Sequence, residues 1–406
     1  MCIRDRSRGT PELPAGLYNY QVKTHSLVRF WDGEFWAQLQ MACFNHPALA
    51  VTEVAIVISS VFFRSAWRYQ DRAYRRIGLD TGHVLGNLEL ASALTDFRPH
   101  LIGGFEDGAL NDLFFFEPDL EGSIVVAALA DRLDRRQYLT DLPTALASPP
   151  LATVPEDLIE GELLAALHHS SQLPIHPAGT PRPSYDSQSE PSASADKYNL
   201  PFGLTVPAVG EAIDWGDGLG LLERTILQRR STRAYTGGAI SSDDLKAILQ
   251  FAYQPQTFAD QGLDPAPDYF DLGLIATFVV VRDVYGLEAG CYYYAPTSQE
   301  LRQIRFKNFQ EEMHFLCLGQ DLGHDAAAVV VQTADLVTAI DRWGDRAYRY
   351  LHLDSGHLGQ RLNLAALRLG LGVSGIAGFF DDLVNEVLGI PEGEAGLYLT
   401  TIGQPR

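Results

Sequence analysis

One spacing constrains this chain more than any other. The segment Gly16-Leu-Tyr-Asn-Tyr20 recurs as Gly290-Cys-Tyr-Tyr-Tyr294, an offset in numbering of 290 − 16 = 274. The same offset carries Arg68–Arg75 (RYQDRAYR) onto Arg342–Arg349 (RWGDRAYR) and Leu79-Asp-Thr-Gly-His83 onto Leu353-Asp-Ser-Gly-His357. It also carries Ile102-Gly-Gly-Phe-Glu-Asp107 onto Ile376-Ala-Gly-Phe-Phe-Asp381. A single offset held from residue 16 to residue 107 without a net gap is the mark of a duplicated domain. Whatever fold the chain adopts, it is expected to be built twice.

Each copy reads alike. A Tyr-rich strand comes first, then a variable helical stretch and an apolar run (51–63 and 325–338). The DRAYR segment follows, then a helix opened by Asp-x-Gly-His, with Asp80 and Asp354 placed as caps. That helix carries Leu85, Leu88, Leu90 and Ala91, or Leu358, Leu362, Leu364 and Ala365, at helical spacing. A glycine turn, a short amphipathic helix and a buried strand (Ser123–Leu129, Gly396–Ile402) close each copy. The tyrosines of GLYNY and GCYYY are expected to pack strands. Asp71, Arg72, Asp345 and Arg346 are expected to form ion pairs between the copies. The copies are expected to span residues 1–148 and 205–406, separated by 149–204. Within that separator, Pro155–His169 has the pattern of one helix, and 171–196 is a Pro-, Ser- and Gln-rich linker. The second copy starts near residue 205, and 205 − 274 = −69 falls before the chain, so the first copy is expected to lack its N-terminal part. The opening Met-Cys-Ile-Arg-Asp-Arg fits that reading.

Charge narrows the function. With 51 acidic against 31 basic residues the net charge is −20, which argues against nucleic acid or an anionic membrane as the main partner. Against that background Arg229, Arg230, Ser231 and Arg233 stand out. In an extended segment Arg229, Ser231 and Arg233 share a face and make a bidentate receptor for phosphate or another localised anion. A solvated basic turn is the other reading. Cys2, Cys43, Cys291 and Cys317 show no CxxC spacing and no disulfide framework, which points to a reducing, cytoplasmic setting. No apolar run reaches transmembrane length. His168, His169 and His324 have no ligand partners at useful spacing, so no metal is expected.

The second copy resembles the nitroreductase family of flavin enzymes, and within it the SagB-type dehydrogenases that include cyanobactin thiazoline oxidases. The resemblance rests on Arg229-Arg-Ser-Thr-Arg233, Gly286-Leu-Glu-Ala-Gly-Cys-Tyr-Tyr-Tyr294, Gly344-Asp-Arg-Ala-Tyr-Arg-Tyr350, Ser374-Gly-Ile-Ala-Gly-Phe-Phe-Asp381 and the end strand closing on Thr401-Ile-Gly403. The first copy matches through GLYNY, DRAYR, DTGH and IGGFED. The resemblance implies an α+β fold, a mixed or antiparallel sheet flanked by helices, here as two tandem copies in an intrachain pseudo-dimer. It implies FMN at the interface between copies, with Arg229, Arg230, Ser231 and Arg233 contacting it. Ala377 and Gly378 fall under the flavin N5, and Arg406 extends toward the phosphate.

Two departures from the family matter. Its Pro-Ser-small-small segment is replaced by Pro267-Asp-Tyr-Phe-Asp271, whose bulk and acidity resist an anionic cofactor, so one working flavin site and one degenerate site are expected. Azoline-oxidising relatives carry a Lys-Tyr pair where this chain has Arg68-Tyr69 and Arg342-Trp343. Tyr69 can donate or accept a proton, whereas Arg68 cannot serve as a base at neutral pH. The expected activity is FMN-dependent dehydrogenation of thiazoline or oxazoline rings in a peptide, with maturation-complex proteins as partners. NAD(P)H-dependent reduction of quinones or nitro compounds, and peptide binding without catalysis, are the alternatives. His83 and His357 are read as structural.

Overall fold

The two apolar runs become strands at the centre of two sheets, paired on both edges and buried along most of their length. The computed structural model describes residues 2–7, 13–150, 158–174, 183–185, 196–198 and 203–406, the first six by backbone alone.

The first half runs β1 (Cys2–Ser7), β2 (Gly16–Gln21), β3 (Ser26–Asp32), α1 (Trp36–Ala42), α2 (Pro47–Val51), β4 (Val54–Val61), α3 (Phe63–Tyr69), α4 (Ala73–Ser92), β5 (Phe97–Ile102), α5 (Asp107–Leu113) and β6 (Glu121–Asp131). A short helix, α6 (Leu163–Ser170), lies in the connection. The second half runs β7 (Thr205–Pro207), α7 (Gly220–Gln228), β8 (Ile240–Ser241), α8 (Ser242–Tyr253), β9 (Ile275–Val281), β10 (Val284–Tyr285), β11 (Gly290–Ala295), β12 (Glu300–Arg305), α9 (Gln310–Leu316), α10 (Asp321–Asp325), β13 (Ala328–Asp335), α11 (Leu336–Trp343), α12 (Ala347–Arg368), β14 (Gly372–Ile376), α13 (Asp381–Leu388) and β15 (Glu394–Gly403).

The first sheet has the order β3-β2-β1-β4-β6-β5. The second repeats it as β12-β11-β9-β13-β15-β14, with β7 added outside β12. Neighbours in both sheets are antiparallel. The bounds of β4 and β13, of α1 and α9, and of α2 and α10 differ by the offset read from the sequence. The chain is therefore an α+β protein of two equivalent halves.

The halves meet along α4 and α12, and here the Asp-x-Gly-His reading is corrected. These helices open at Ala73 and Ala347, so Asp80 and Asp354 lie inside them and cap neither. The motif marks the crossing instead. A methyl on Gly82 would lie 2.2 Å from the Leu353 carbonyl oxygen and 2.7 Å from Gly356 Cα. One on Gly356 would lie 2.3 Å from the Leu79 carbonyl oxygen. Only glycine lets two helix backbones approach this closely. Asp354 is buried, and its carboxylate accepts the backbone N–H groups of Phe270 and Asp271.

The DRAYR arginines clamp the halves together reciprocally. Arg346 and Arg349 of the second half reach Asp107 of the first at 2.6 and 3.2 Å. Arg72 and Arg75 of the first reach Asp381 of the second at 3.0 and 2.7 Å. Arg72 and Arg346 thus pair as expected. Asp71 does not: its carboxylate accepts the N–H groups of Gly161 and Leu164 at the start of α6. Asp345 makes no ion pair among the described residues. The helix in the connection begins at Leu163, and Pro155 lies outside the described residues, as does most of 171–196.

Candidate active site

The arginine cluster is built by a helix end and two staples. α7 stops at Arg229, whose ψ of 128° leaves the helical range. Residues 229–234 are irregular, so the strand alternation that would put Arg229, Ser231 and Arg233 on one face does not apply. Thr232 fixes the loop instead. Its N–H donates to the Val373 carbonyl, and its hydroxyl accepts the Val373 N–H, both at 2.9 Å. Tyr235 then buries its ring, and its hydroxyl donates to the Thr401 carbonyl at 2.9 Å. With Thr232 turned into β14, its neighbours Ser231 and Arg233 are left half-buried and exposed respectively.

Among the described residues, Arg229, Arg230 and Arg233 make no ion pair. The one side-chain hydrogen bond that the three make among the described residues runs from Arg230 to the Arg229 carbonyl. Three uncompensated guanidiniums in a chain of net charge −20 form a concentrated anion receptor. Arg406 lies beside this loop, its N–H donating to the Ala234 carbonyl at 3.2 Å, but its guanidinium turns toward Asp325 at 3.8 Å.

Next to the cluster, β14 and the turn after it present bare backbone. Gly375 is exposed, and Ala377 and Gly378 are half-buried. A methyl on Gly378 would meet only Leu318, at 3.5 Å. The equivalent turn of the first half is closed: a methyl on Gly103 would lie 2.5 Å from the Tyr350 ring and 2.6 Å from Phe270, and one on Gly104 2.4 Å from Leu146. Of the two equivalent turns, the one at Gly378 is open and the one at Gly103 and Gly104 is covered by side chains.

Sequence reasoning missed the floor of the open end. A methyl on Gly375 would fall 1.6 Å from the Tyr398 hydroxyl, so Tyr398 lies directly beneath that glycine. The hydroxyl donates to His83 Nε2 at 2.8 Å, while His83 Nδ1–H donates to Gln360 Oε1 at 2.8 Å. Burial pulls the His83 pKa down to about 4, ahead of the charge of Arg229, so the ring is neutral and this tautomer is the one its partners select. Burial also raises the Tyr398 pKa, and the charges of Asp80, Arg76 and Arg229 act on its hydroxyl. His83 therefore belongs to this floor. The sequence held a signal: the residue 274 positions before Tyr398 is Ile124, so the hydroxyl exists at one end only.

From the first half, Tyr69 ends α3 and is 37% exposed, beside exposed Arg68. The Tyr69 ring is covered by Arg76 at 4.4 Å and by Arg68 at 5.7 Å. The charge of Arg76, like that of Arg229, acts on the Tyr398 hydroxyl. The structure thus ties the loop of Arg229, Arg230, Ser231 and Arg233 to β14, the strand that leads into Ala377 and Gly378, while Tyr69 stands at the end of α3 in the first half and Arg406 is turned aside. At the other end, the counterparts Arg342 and Trp343 are both bound to Asp271, at 3.2 and 2.9 Å.

Residues 226–404 match the nitroreductase family. A nitroreductase-like protein of Methanocaldococcus jannaschii is 31% identical over 171 residues, which are 42% of this chain and 85% of that protein. A crystal structure of a nitroreductase-like protein from Anabaena variabilis superposes with a TM-score of 0.94 at 57% identity, covering 100% of this chain and 80% of that one. By sequence and by fold, the chain belongs to the nitroreductase family.

Proposed function

We propose that this protein is an FMN-dependent oxidoreductase that dehydrogenates thiazoline or oxazoline rings in a peptide to azoles. The observation that carries the cofactor part is the uncompensated cluster Arg229, Arg230 and Arg233 beside the open glycine backbone at Gly375 and Gly378. A planar ring with a phosphate tail needs both, a cationic receptor at one end and close backbone approach at the other. When bound, FMN supplies a hydride acceptor at N5.

The residues around it have distinct tasks. Arg229 stabilises negative charge on the reduced ring, Arg230 and Arg233 hold the phosphate, and the Ser231 hydroxyl adds a donor. Ala377 and Gly378 offer backbone N–H groups to the ring edge. Arg406 gains access to the phosphate if it releases Asp325. Of the pair Arg68 and Tyr69, the Tyr69 hydroxyl is the group assigned to move a proton. The peptide part is supported by α3, which exposes Phe63 (71%), Trp67 (64%) and Tyr69 (37%) along a single helix. In this reading residues 1–148 and 205–406 are the two duplicated units, joined by 149–204, and the composite site draws on both.

Purified protein is expected to be yellow, with flavin absorbance near the usual maxima. Arg229→Ala combined with Arg233→Ala should lose at least two charge-assisted bonds to the cofactor, one to the ring and one to the phosphate, about 3 kcal/mol or more, and weaken flavin retention more than a hundredfold. Retention of flavin by the double variant sinks the assignment. Flavin bleaching by an azoline-containing peptide under anaerobic conditions supports dehydrogenation. Rapid bleaching by NAD(P)H alone would make the protein a quinone or nitro reductase instead, and a colourless protein would make it a peptide-binding pseudo-dimer.

A further inference from the structure

The closed end of the molecule is not empty. Beside the plug formed by Phe270, Tyr350 and Leu146 lies a chamber of about 790 Å3, within the range that holds a small organic ligand. Its walls include Tyr253, Tyr269, Phe270, Tyr293, Tyr294 and Trp343. None of the arginine-cluster residues lines it.

The chamber contains one buried acid with unused capacity. Asp271 is 4% exposed. Its Oδ2 accepts the Trp343 indole N–H at 2.9 Å and is paired with Arg342 Nε at 3.2 Å. Its Oδ1 has no hydrogen-bond partner among the described residues; the Gly273 N–H acts on the carboxylate but does not reach hydrogen-bonding geometry. The Tyr269 hydroxyl, on a ring stacked against His357 at 4.4 Å, is likewise buried without a partner among them. An unsatisfied buried acceptor of this kind costs about 1–3 kcal/mol, and a ligand that supplies a donor recovers it.

The lining also says what the ligand is not. Its two cations are committed, Arg342 to Asp271 and Lys197 to Glu394, so among the described residues no free cation faces a phosphate. Aromatic faces favour a flat ring, and the free carboxylate oxygen favours an N–H. We propose that this chamber is a second binding site, for a planar aromatic molecule carrying an N–H donor, held between the ring faces and by an N–H bond to Asp271 Oδ1. The degenerate end of the pseudo-dimer has thus been rebuilt for a different ligand. This inference does not depend on flavin being bound at the other end.

Indole and benzofuran have the same shape and differ in the donor, so they serve as matched probes on the full chain. Titration followed by calorimetry is expected to show indole binding about tenfold tighter than benzofuran, the worth of one hydrogen bond to a charged acceptor. In Asp271→Ala that ratio should fall to about one, with benzofuran unchanged. Ile275→Trp, which fills the chamber from β9 without replacing Asp271, should bind neither probe. Equal binding of the two probes to the unaltered protein, binding of neither at low millimolar concentration, or undiminished indole binding by a folded Ile275→Trp variant would each overturn the proposal.

Discussion

Replacing Asp107 by Asn is expected to destabilise the protein by about 3–5 kcal/mol, the loss typical when one member of a buried ion pair is removed. Asp107, Arg346 and Arg349 have side chains 1%, 0% and 1% exposed, so water cannot compensate the two guanidiniums left behind. The carboxylate does more than pair. Its Oδ2 also accepts the Leu173 N–H at 2.8 Å, and Arg346 in turn donates to the Gly103 and Ser171 carbonyls. An asparagine can keep one acceptor but presents an NH2 group to a guanidinium. Urea unfolding of the two proteins measures the difference, provided both give one transition.

The internal repeat supplies the control. Asp381→Asn removes the equivalent carboxylate from Arg72 and Arg75, but Arg72 is 57% exposed and Asp381 27%. Solvent screens the Arg72 pair but not Arg75, which is 13% exposed, so a loss smaller than at Asp107, about 1–3 kcal/mol, is expected. Similar losses at the two positions would mean that burial does not decide their strength. The acid dependence follows from the same geometry. Burial alone would push the Asp107 pKa up, but Arg346 and Arg349 override it and hold the carboxyl below its ordinary range. A depressed carboxylate contributes stability that is present above the unfolded pKa, near 3.9, and lost as pH falls through the lower folded value. The gap between native protein and Asp107→Asn should therefore be constant from neutral pH down to about 5 and narrow below 4.

What the sequence could disclose was set by range. The constant offset made the two-fold repetition of elements visible, because the marker segments hold their spacing in both halves. β1 was invisible. Cys-Ile-Arg-Asp-Arg-Ser has no apolar alternation, yet it lies between β2 and β4 in the middle of a sheet. Its identity as a strand comes from pairing with chain far along the sequence (Ile3 opposite Ile58), not from local pattern. The start of α4 was misplaced because Asp-x-Gly-His resembles a cap, and nothing local says that its glycine faces another glycine 274 positions on. The site divides the same way. The arginine cluster is contiguous and could be read directly. Tyr398 could not, since its partner His83 is 315 residues away and contributed by the other half. The chamber at Asp271 depends on how Phe270, Trp343 and Arg342 pack, and the sequence showed only that the family pattern fails there.

The second large effect is expected at the helix crossing itself. In an exposed helix, exchanging glycine for alanine stabilises by about 1 kcal/mol, because glycine has more backbone freedom to lose. Gly82 should reverse that sign. A Cβ there meets the backbone of α12 at 2.2 Å, which no rotamer change relieves, so α4 and α12 must separate. Gly78 and Gly86, one turn to either side, already lie against His352 and Gln360 with 2.7 and 2.8 Å for an added methyl, so the helices cannot pivot about Gly82 without new clashes. Gly82→Val should lose about 3 kcal/mol or more, at or beyond the upper end for overpacked cores. It should also weaken flavin retention, since Gln360 of α12 holds His83 of α4 across this crossing, and His83 in turn accepts the Tyr398 hydroxyl. Gly220→Ala is the counter-case. Gly220 opens α7 with helical φ and ψ and has nothing within 4 Å of an added methyl, so it should gain about 0.5–1 kcal/mol. Thermal and urea unfolding of the two variants decide the matter: if Gly82→Val is as stable as the native protein, the glycine contact is not what sets the distance between the halves.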